Sequence, residues 1–456
     1  MWKRLSRSEL LSTFFPTWVW QGRMWSTWRI PKYDPYYWIN AHSHPVISTY
    51  YPPSAFCSYI SATKNIGLDL LFQLNIYLIL LHVSFGILGW FTLIHTWSNS
   101  LVAIFGALTF TLAGYNWKQQ PCSQYTFAWF PWLLYGIATG NYWLAGVASG
   151  MVYLAGYYPI GIQILAVASL ATFAWSPYPT TWLWVPIGLL IGSPQLVPFL
   201  RYLPKTIRTK AVSDIGKVPW WHFASLVFPK AFRYSINGVG YWEMSYYVGL
   251  IPLFTIWYTR SRAVWLGVLS VLLMLGCLRK YLPRVAARFS YTFQFGLIWS
   301  ALTGLHNLGL PDHVLAVLCL IQAFDLWHNN SPLLVNHPYA ELYHKPSWAF
   351  NTKLTRYLEA NLGDNRVSGL PYPLFTGHIN KLKTIGYSGG MQLKLMAKWR
   401  HDECSDGSGQ HDFFKGDGNP DGLDIARVKY SVTSTKLDWK HTEVSNLYLN
   451  PSFNVC

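Results

Sequence analysis

Hydrophobic residues fall into ten runs in the middle of the chain, while polar and turn-forming residues dominate its two ends. The runs cover approximately residues 70–94, 101–115, 125–138, 142–156, 159–175, 182–199, 244–258, 263–278, 289–305 and 313–327. A helix that crosses a bilayer perpendicularly needs about 20 apolar residues, and several runs are nearer 15. The pattern therefore predicts a mainly α, polytopic transmembrane helix bundle of about ten spans, some of them tilted, fused or partly re-entrant.

Three regions follow from this pattern. Residues 1–69 are rich in Trp, Tyr and Pro, which is typical of a loop at the membrane interface. Residues 70–327 are predicted to form the transmembrane helical domain, interrupted by a long polar loop at 200–243. Residues 328–456 alternate turn signals with short strand-like runs, which favours a small soluble α/β or β-rich domain.

Composition supports the membrane interpretation. Hydrophobic residues make up 52% of the chain and charged residues only 12%, whereas a typical soluble domain has about 25% charged residues. The net charge of +16 would be compatible with nucleic-acid binding, but the basic residues border apolar runs instead of forming a soluble basic surface. Membrane lipids with anionic headgroups are therefore the predicted partner, and nucleic acid is excluded. The six cysteines have no CxxC spacing, so they predict neither a zinc site nor a disulfide framework.

Short motifs occur in a fixed order along most of the chain. They are Glu9-Leu-Leu-Ser-Thr-Phe-Phe-Pro16, Arg29-Ile-Pro-Lys-Tyr-Asp-Pro-Tyr36, Tyr51-Pro-Pro53, Leu-Ala-Gly114-Tyr115, Phe127-Ala-Trp-Phe-Pro131-Trp, Gly192-Ser-Pro-Gln195-Leu-Val-Pro198, Tyr241-Trp-Glu243, Tyr247-Val-Gly-Leu250, Arg284 to Phe289, and Leu423-Asp-Ile-Ala-Arg427-Val-Lys-Tyr430. In this order they resemble the motifs of YfhO-type bacterial membrane proteins, a family with a GT-C-like glycosyltransferase architecture.

The chain departs from that family at both ends. Only eight residues precede Glu9, where family members have a first transmembrane helix. At the other end, Tyr448-Leu-Asn-Pro451 resembles a segment that family members continue. The sequence is therefore expected to be an internal piece, or a shortened relative, of a longer protein, with a truncated C-terminal domain.

The resemblance implies transfer of a sugar from a polyprenyl-phosphate donor to an envelope glycan or glycolipid on the outer face of the membrane. Such a reaction needs a carboxylate that accepts the proton of the acceptor or holds a metal. Glu9 stands where the family has an Asp, so it is the first candidate for the general base, and Asp34 and Glu243 are the other catalytic candidates. A divalent cation (Mg or Mn) is a candidate cofactor, although the sequence requires none. His42 and His44 could reach a substrate or a metal, but without a third ligand they assign no metal site.

Each acidic candidate also has a structural explanation. Glu9 would otherwise be a solvated residue near the N-terminus, and Asp34 would cap an Asx-turn before a proline. Glu243 lies at the mouth of an apolar run, where a carboxylate is costly unless it is used or paired, here with a nearby Arg. Asp325, near the end of the last run, is a further candidate, for which a buried hydrogen-bonded anchor is the favoured alternative.

Basic residues are candidates for binding the lipid phosphate. Arg284 and Arg288 are four residues apart, which would put both guanidinium groups on one face of a helix, where they can bind a phosphate bidentately. The alternative is that their side chains extend to lipid headgroups. Lys205 and Arg208 are candidates as well, with headgroup contact as the favoured alternative.

The resemblance places the chain in the bacterial inner membrane as a multi-pass protein with its C-terminal domain outside the cytoplasm. Of the 21 basic residues in 1–327, this orientation leaves only Arg260 and Arg262 in cytoplasmic loops, which reverses the positive-inside tendency. Either the outer face is basic because it holds lipid-linked phosphates, or the chain is inverted. We favour the first account, because an ordered set of motifs is harder to obtain by chance than a charge bias.

Two other functions stay open. A transporter or flippase of a lipid-linked substrate would use membrane-buried charges, for which Asp325 and Glu243 are the candidates. A truncated, inactive relative would serve as a membrane scaffold.

Overall fold

A computed structural model describes residues 15–29, 49–63, 68–114, 121–175, 179–202, 218–229, 246–259, 261, 263–275, 289–330, 353–364, 366–368, 428–433 and 445–448. Most of these residues are helical, so the prediction of a mainly α chain is confirmed. The chain divides into two compact units. The first contains Met1–Ile76, Phe199–Thr209 and Leu334–Cys456, and the second contains Tyr77–Pro198 and Lys210–Leu333. The predicted domain boundaries at residues 69 and 327 stay predictions.

Each of the ten apolar runs contains helix. The α-helices of the described residues are α1 (Phe15–Ser26), α2 (Pro52–Thr63), α3 (Leu68–His95), α4 (Ser100–Leu112), α5 (Pro121–Ala138), α6 (Tyr142–Leu154), α7 (Tyr158–Trp175), α8 (Trp184–Tyr202), α9 (Leu250–Thr255), α10 (Val264–Met274), α11 (Ser290–Asn307), α12 (Asp312–Asn330) and α13 (Lys353–Asn361). Segments of 3₁₀-helix cover Pro179–Leu183, Trp220–Leu226 and Ile256–Tyr258. Side-chain caps begin two of the α-helices: Asn99 accepts from the backbone N–H of Val102 at 2.9 Å, and Asn141 from that of Leu144 at 3.0 Å.

In the first unit, α1 packs against α2 through a close approach at Gly22. A Cβ atom at this position would overlap the backbone carbonyl of Ser58, so the two helices can approach this closely only with glycine there. The same unit contains α13 and a parallel sheet in the order β1 (Arg366–Ser368), β2 (Val428–Thr433) and β3 (Ser445–Tyr448). The described part of the C-terminal region therefore combines a helix with parallel strands.

In the second unit, two glycine motifs bring α6 and α8 together. Gly146 and Gly150 on α6 face the side chains of Ile187 and Ile191, and a Cβ atom at either glycine would overlap them. Gly188 and Gly192 on α8 face Ser149 and Tyr153 in the same way. Paired small residues four positions apart are the usual means by which membrane helices pack closely.

The second unit exposes apolar side chains and buries polar ones. Along α7, α10 and α12 the exposed side chains include Ile162, Leu170, Phe173, Trp265, Leu269, Leu272, Leu320 and Phe324. The buried polar side chains include His82, Thr109, Gln163, Gln294, Gln322 and Asn330. The core of the unit is otherwise mainly apolar, and exposed apolar surface of this extent is typical of a surface that contacts lipid or another protein.

Two helical segments among the described residues are long and apolar enough to cross a membrane, namely Gln73–His95 and Pro179–Arg201. Four shorter apolar helices accompany them, at Ser100–Leu112, Tyr142–Leu154, Ile160–Trp175 and Val264–Met274. These segments indicate association with a membrane, while the count of ten spans stays a prediction. One predicted span differs clearly from its expected form: in the described part of the run 244–258, which begins at Tyr246, α9 and one turn of 3₁₀-helix follow a non-helical stretch, Tyr246–Gly249.

Candidate functional site

Asp325 is the predicted site residue that the structure describes. It lies in the last two turns of α12 and is half-buried. The other candidates, Glu9, Asp34, His42, His44, Lys205, Arg208, Glu243, Arg284 and Arg288, lie outside the described residues. Their roles therefore stay predictions.

The Asp325 carboxylate accepts hydrogen bonds from three residues. The Tyr247 hydroxyl lies 2.6 Å from Oδ1 and 2.7 Å from Oδ2. The backbone N–H of Leu250 donates to Oδ2 at 3.2 Å, and the Asn329 side-chain amide donates to Oδ1 at 2.7 Å. These contacts match the anchor alternative for Asp325, because donors from the protein occupy both carboxylate oxygens.

The bonds to Asp325 belong to a larger polar face of α12. Gln322, Asp325, Asn329 and Asn330 follow the spacing i, i+3, i+7, i+8, which places them on one side of the helix. The Gln322 amide donates to the Val248 carbonyl at 2.8 Å and to Thr109 Oγ1 at 3.2 Å. The four side chains thus face the chain just before α9.

That facing chain, Tyr246–Gly249, is buried but not helical, so it cannot satisfy its own backbone groups. The Tyr247 carbonyl accepts from the Gly114 N–H at 2.9 Å and from the Asn330 side-chain amide at 3.5 Å. Asn330 also donates to the Leu112 carbonyl at 2.9 Å, which ties the ends of α4 and α12 together. Non-helical backbone at membrane depth is tolerated only where protein groups satisfy it in this way.

Gly249 makes this arrangement possible. Its backbone has φ +94° and ψ 157°, a region that is essentially restricted to glycine. A Cβ atom here would also overlap the Gln322 side-chain amide, which bonds the neighbouring Val248 carbonyl. The glycine therefore allows the non-helical chain to turn into α9 directly against α12.

A second cluster lies beside the first and contains Val218, Tyr246, Met274 and Phe293, which we call the Tyr246 cluster. The Tyr246 ring stands edge-on to Phe293, with centroids 6.0 Å apart, and stacks on Phe223 at 5.2 Å. The Val218 N–H donates to the Met274 carbonyl at 3.2 Å. The cluster thus joins the middle of the polar loop 200–243, the stretch just before α9, the end of α10 and the first turn of α11.

His222 is buried in the polar loop segment beside this cluster. Its ring lies edge-on to the Tyr246 ring, with centroids 6.3 Å apart. Burial lowers the pKa of His222 below its ordinary value, because the charged imidazolium loses hydration there. The side chain therefore favours the neutral form.

Several important residues of this region were not predicted as site residues: Tyr247 and Gly249 stood only within a motif, and Gln322, Asn329 and Asn330 were not noted at all. One signal was available: four polar residues share one face at the end of an apolar run. Their partners could not be found this way, because Tyr247 precedes Asp325 by 78 residues. Within the described ranges, His, Cys, Asp and Glu side chains form no group of three that could hold a metal ion.

Comparison with known proteins adds no assignment to this geometry: no protein-family model matches the chain, and no curated protein matches it.

Proposed function

We propose that the chain is a polytopic membrane glycosyltransferase of GT-C-like, YfhO-type architecture. It transfers a sugar from a polyprenyl-phosphate donor to an envelope glycan or glycolipid on the outer face of the bacterial inner membrane. The acceptor hydroxyl gives its proton to a carboxylate, the new glycosidic bond forms at the sugar C1, and the bond from C1 to the phosphate oxygen breaks. Polyprenyl phosphate leaves, and cationic side chains bind its charge.

One contact supports this proposal most directly. Tyr246, which follows the candidate carboxylate Glu243 by three residues, contacts Phe293, which follows the candidate phosphate ligand Arg288 by five. The sequence places these two candidates 45 residues apart. The segment that follows Glu243 and the segment that follows Arg288 contact each other in the Tyr246 cluster. A site shared by this carboxylate and this guanidinium would require such a contact.

The exposed apolar side chains of the second unit support the membrane part of the proposal. Large apolar side chains on α7, α10 and α12 are exposed, while glutamine and asparagine side chains are buried. A lipid environment stabilises this arrangement, since acyl chains solvate apolar surfaces and the buried amides hydrogen-bond within the protein.

A transporter of a lipid-linked substrate is the second candidate, and the interrupted run before α9 favours it. Transporters commonly place broken helices and buried charges at their substrate sites. In this chain, however, Asp325 uses both of its carboxylate oxygens to accept from Tyr247, Leu250 and Asn329. A substrate would have to displace those donors, which weakens this alternative.

The test uses the full chain in vesicles that contain radiolabelled polyprenyl-phosphate hexoses and envelope glycolipid acceptors. Release of polyprenyl phosphate is measured for wild type, Glu9→Gln, Glu243→Gln and Arg288→Gln. Loss of a general acid–base group lowers the rate about 10²–10⁴-fold, so we expect such a loss in at least one carboxylate variant with an unchanged amount of folded protein. Glu359→Gln, an exposed change on α13, is the matched control and should keep full activity.

Three outcomes separate the functions. Polyprenyl phosphate release that depends on these residues supports transfer, and adding Mg²⁺ or EDTA then reports any metal dependence. Movement of the intact donor to the opposite leaflet without release would establish transport instead. If the chain is folded and inserted but shows neither release of polyprenyl phosphate nor movement of the donor, the proposed function is overturned and the scaffold function is the one that remains.

A further inference from the structure

The 3₁₀-helix Trp220–Leu226 and the residues beside it have two different faces. Val218, His222 and Ser225 are buried within the second unit, to which the segment belongs. On the opposite face, Trp220 and Phe228 are 73% and 64% exposed, and Trp221 and Val227 are about half exposed. Four large apolar side chains in a stretch of nine residues are thus presented outward. We call Trp220, Trp221, Val227 and Phe228 the outer face of this segment.

The segment lies at one end of a helix of membrane-spanning length. Phe223 contacts Phe293 in the first turn of α11, with ring centroids 5.8 Å apart. Helix α11 has 18 residues, which corresponds to about 27 Å at 1.5 Å per residue, close to the thickness of the hydrocarbon core of about 30 Å. In the proposed polytopic bundle α11 is one of the spans, although it is less apolar than Gln73–His95 and Pro179–Arg201, and this placement puts the segment at the level where the hydrocarbon core meets the headgroups.

An exposed apolar stripe leads to the same level. Trp265, Val268, Leu269 and Leu272 on α10 are exposed at the spacing i, i+3, i+4, i+7, so they form one continuous apolar face. The stripe runs toward Met274, whose carbonyl accepts from the Val218 N–H at 3.2 Å. The apolar surface of α10 therefore ends where the Trp220 segment begins.

The chemistry of the segment and its flanks fits a headgroup region. Tryptophan prefers the membrane–water interface, because its ring is apolar and its N–H seeks polar partners. Lys217 and Lys230 flank the segment, and residues 200–243 contain seven basic and two acidic residues. Basic residues of this kind are attracted to anionic lipid headgroups.

We propose that residues 218–228 are an interfacial anchor, whose outer face inserts at the headgroup–acyl boundary of a bilayer that contains anionic lipids. The inner face meanwhile packs on the Tyr246 cluster. The anchor thereby fixes the middle of the polar loop 200–243 at the membrane surface. This inference rests on the membrane placement in the proposed function but does not depend on glycosyl transfer.

The test measures the depth of single fluorescent labels in vesicles. All six cysteines are replaced by alanine, and one cysteine is introduced at Trp221 or at Phe228 and labelled with an environment-sensitive dye. Two reference positions accompany them: Leu320, which is 72% exposed on α12, and Glu359, which is exposed on α13. Quenching is measured with lipids that carry a nitroxide at the headgroup, high on the acyl chain, or deep in it. Circular dichroism and size exclusion verify that each labelled chain is folded.

We expect labels at Trp221 and Phe228 to be quenched most by shallow nitroxides, and more strongly in vesicles with anionic lipid than in neutral ones. The Leu320 label should be quenched most by deep nitroxides, and the Glu359 label weakly by all of them. A deep signal at Leu320 with only weak quenching at Trp221 and Phe228 would overturn the anchor but leave membrane placement intact. That result would mean that another part of the chain, a second copy or water covers the outer face. Weak quenching at all four positions would overturn both.

Discussion

The hydrogen bond between Tyr247 and Asp325 offers a direct measure of what holds the non-helical stretch before α9. We consider Tyr247→Phe, Asp325→Asn and the double variant. Phenylalanine keeps the buried ring and its packing while it removes the hydroxyl, which lies 2.6 and 2.7 Å from the two carboxylate oxygens. Asparagine keeps the shape of the aspartate while it removes the charge.

The expected size follows from the geometry. Neutral hydrogen bonds between membrane helices contribute about 0.6 kcal/mol on average, whereas bonds to charged groups contribute about 1.5–3 kcal/mol. The short bonds to the carboxylate belong to the second kind, so Tyr247→Phe should lower the free energy of unfolding by about 1.5–3 kcal/mol. Asp325→Asn should cost about 2–3 kcal/mol, because its new amide group faces the donors Tyr247 and Asn329.

The two losses should not add, because each variant already removes the same contact. We expect the double variant to be less destabilised than the sum by about 1.5 kcal/mol or more. Unfolding in mixed lipid–detergent micelles with increasing denaturing detergent, followed by circular dichroism, measures these free energies. Tyr258→Phe, at an exposed tyrosine, and Glu359→Gln are the matched controls and should each change stability by less than about 0.5 kcal/mol.

Additivity within about 0.5 kcal/mol would refute the reasoning, since it would mean that Tyr247 and Asp325 contribute independently. A large loss in Asp325→Asn with no loss in Tyr247→Phe would indicate that the aspartate acts mainly through the Leu250 N–H or through Asn329.

Two further predictions concern the same region. Gly249→Ala should lower the free energy of unfolding by about 2 kcal/mol or more, because alanine must adopt a glycine-only backbone conformation and its Cβ overlaps the Gln322 amide. The control is Gly161→Ala in α7, where a Cβ makes only an ordinary contact with Val152, so this change should be neutral or stabilising. Equal effects of the two changes in the micelle assay would contradict this account. For His222, burial lowers the pKa of the folded state below the ordinary value of 6.5, so the unfolded chain binds the proton more readily and the folded state loses stability as the pH falls through that value. The unfolding midpoint of wild type should therefore drop between roughly pH 7.5 and pH 5.5 by more than that of His222→Gln, and an identical drop in both proteins would show that His222 does not contribute.

The sequence by itself determined where the helices of the apolar runs lie, but not α1 and α2, which lie within the region 1–69 that was predicted as a loop. The predicted run 159–175 corresponds to the helix Tyr158–Trp175, and the run 142–156 corresponds to the helix Tyr142–Leu154. This agreement arises because hydropathy and capping are local properties of the sequence. It also contained the glycine pairs of α6 and α8, although it did not reveal that they face one another. Of the candidate site, the sequence identified Asp325 as a charge that requires partners.

The tertiary structure alone decided the backbone conformation of the stretch from Tyr246 to Tyr258. The sequence predicted a span there, but Tyr246–Gly249 is not helical, and Gly114, Gln322 and Asn330 satisfy backbone groups that a helix would otherwise satisfy itself. Likewise, the partner of Asp325 comes from 78 residues upstream. The physical reason is that a backbone N–H or C=O group can find its hydrogen-bond partner within its own helix or in groups from distant parts of the chain. Only the packed chain determines which of the two occurs.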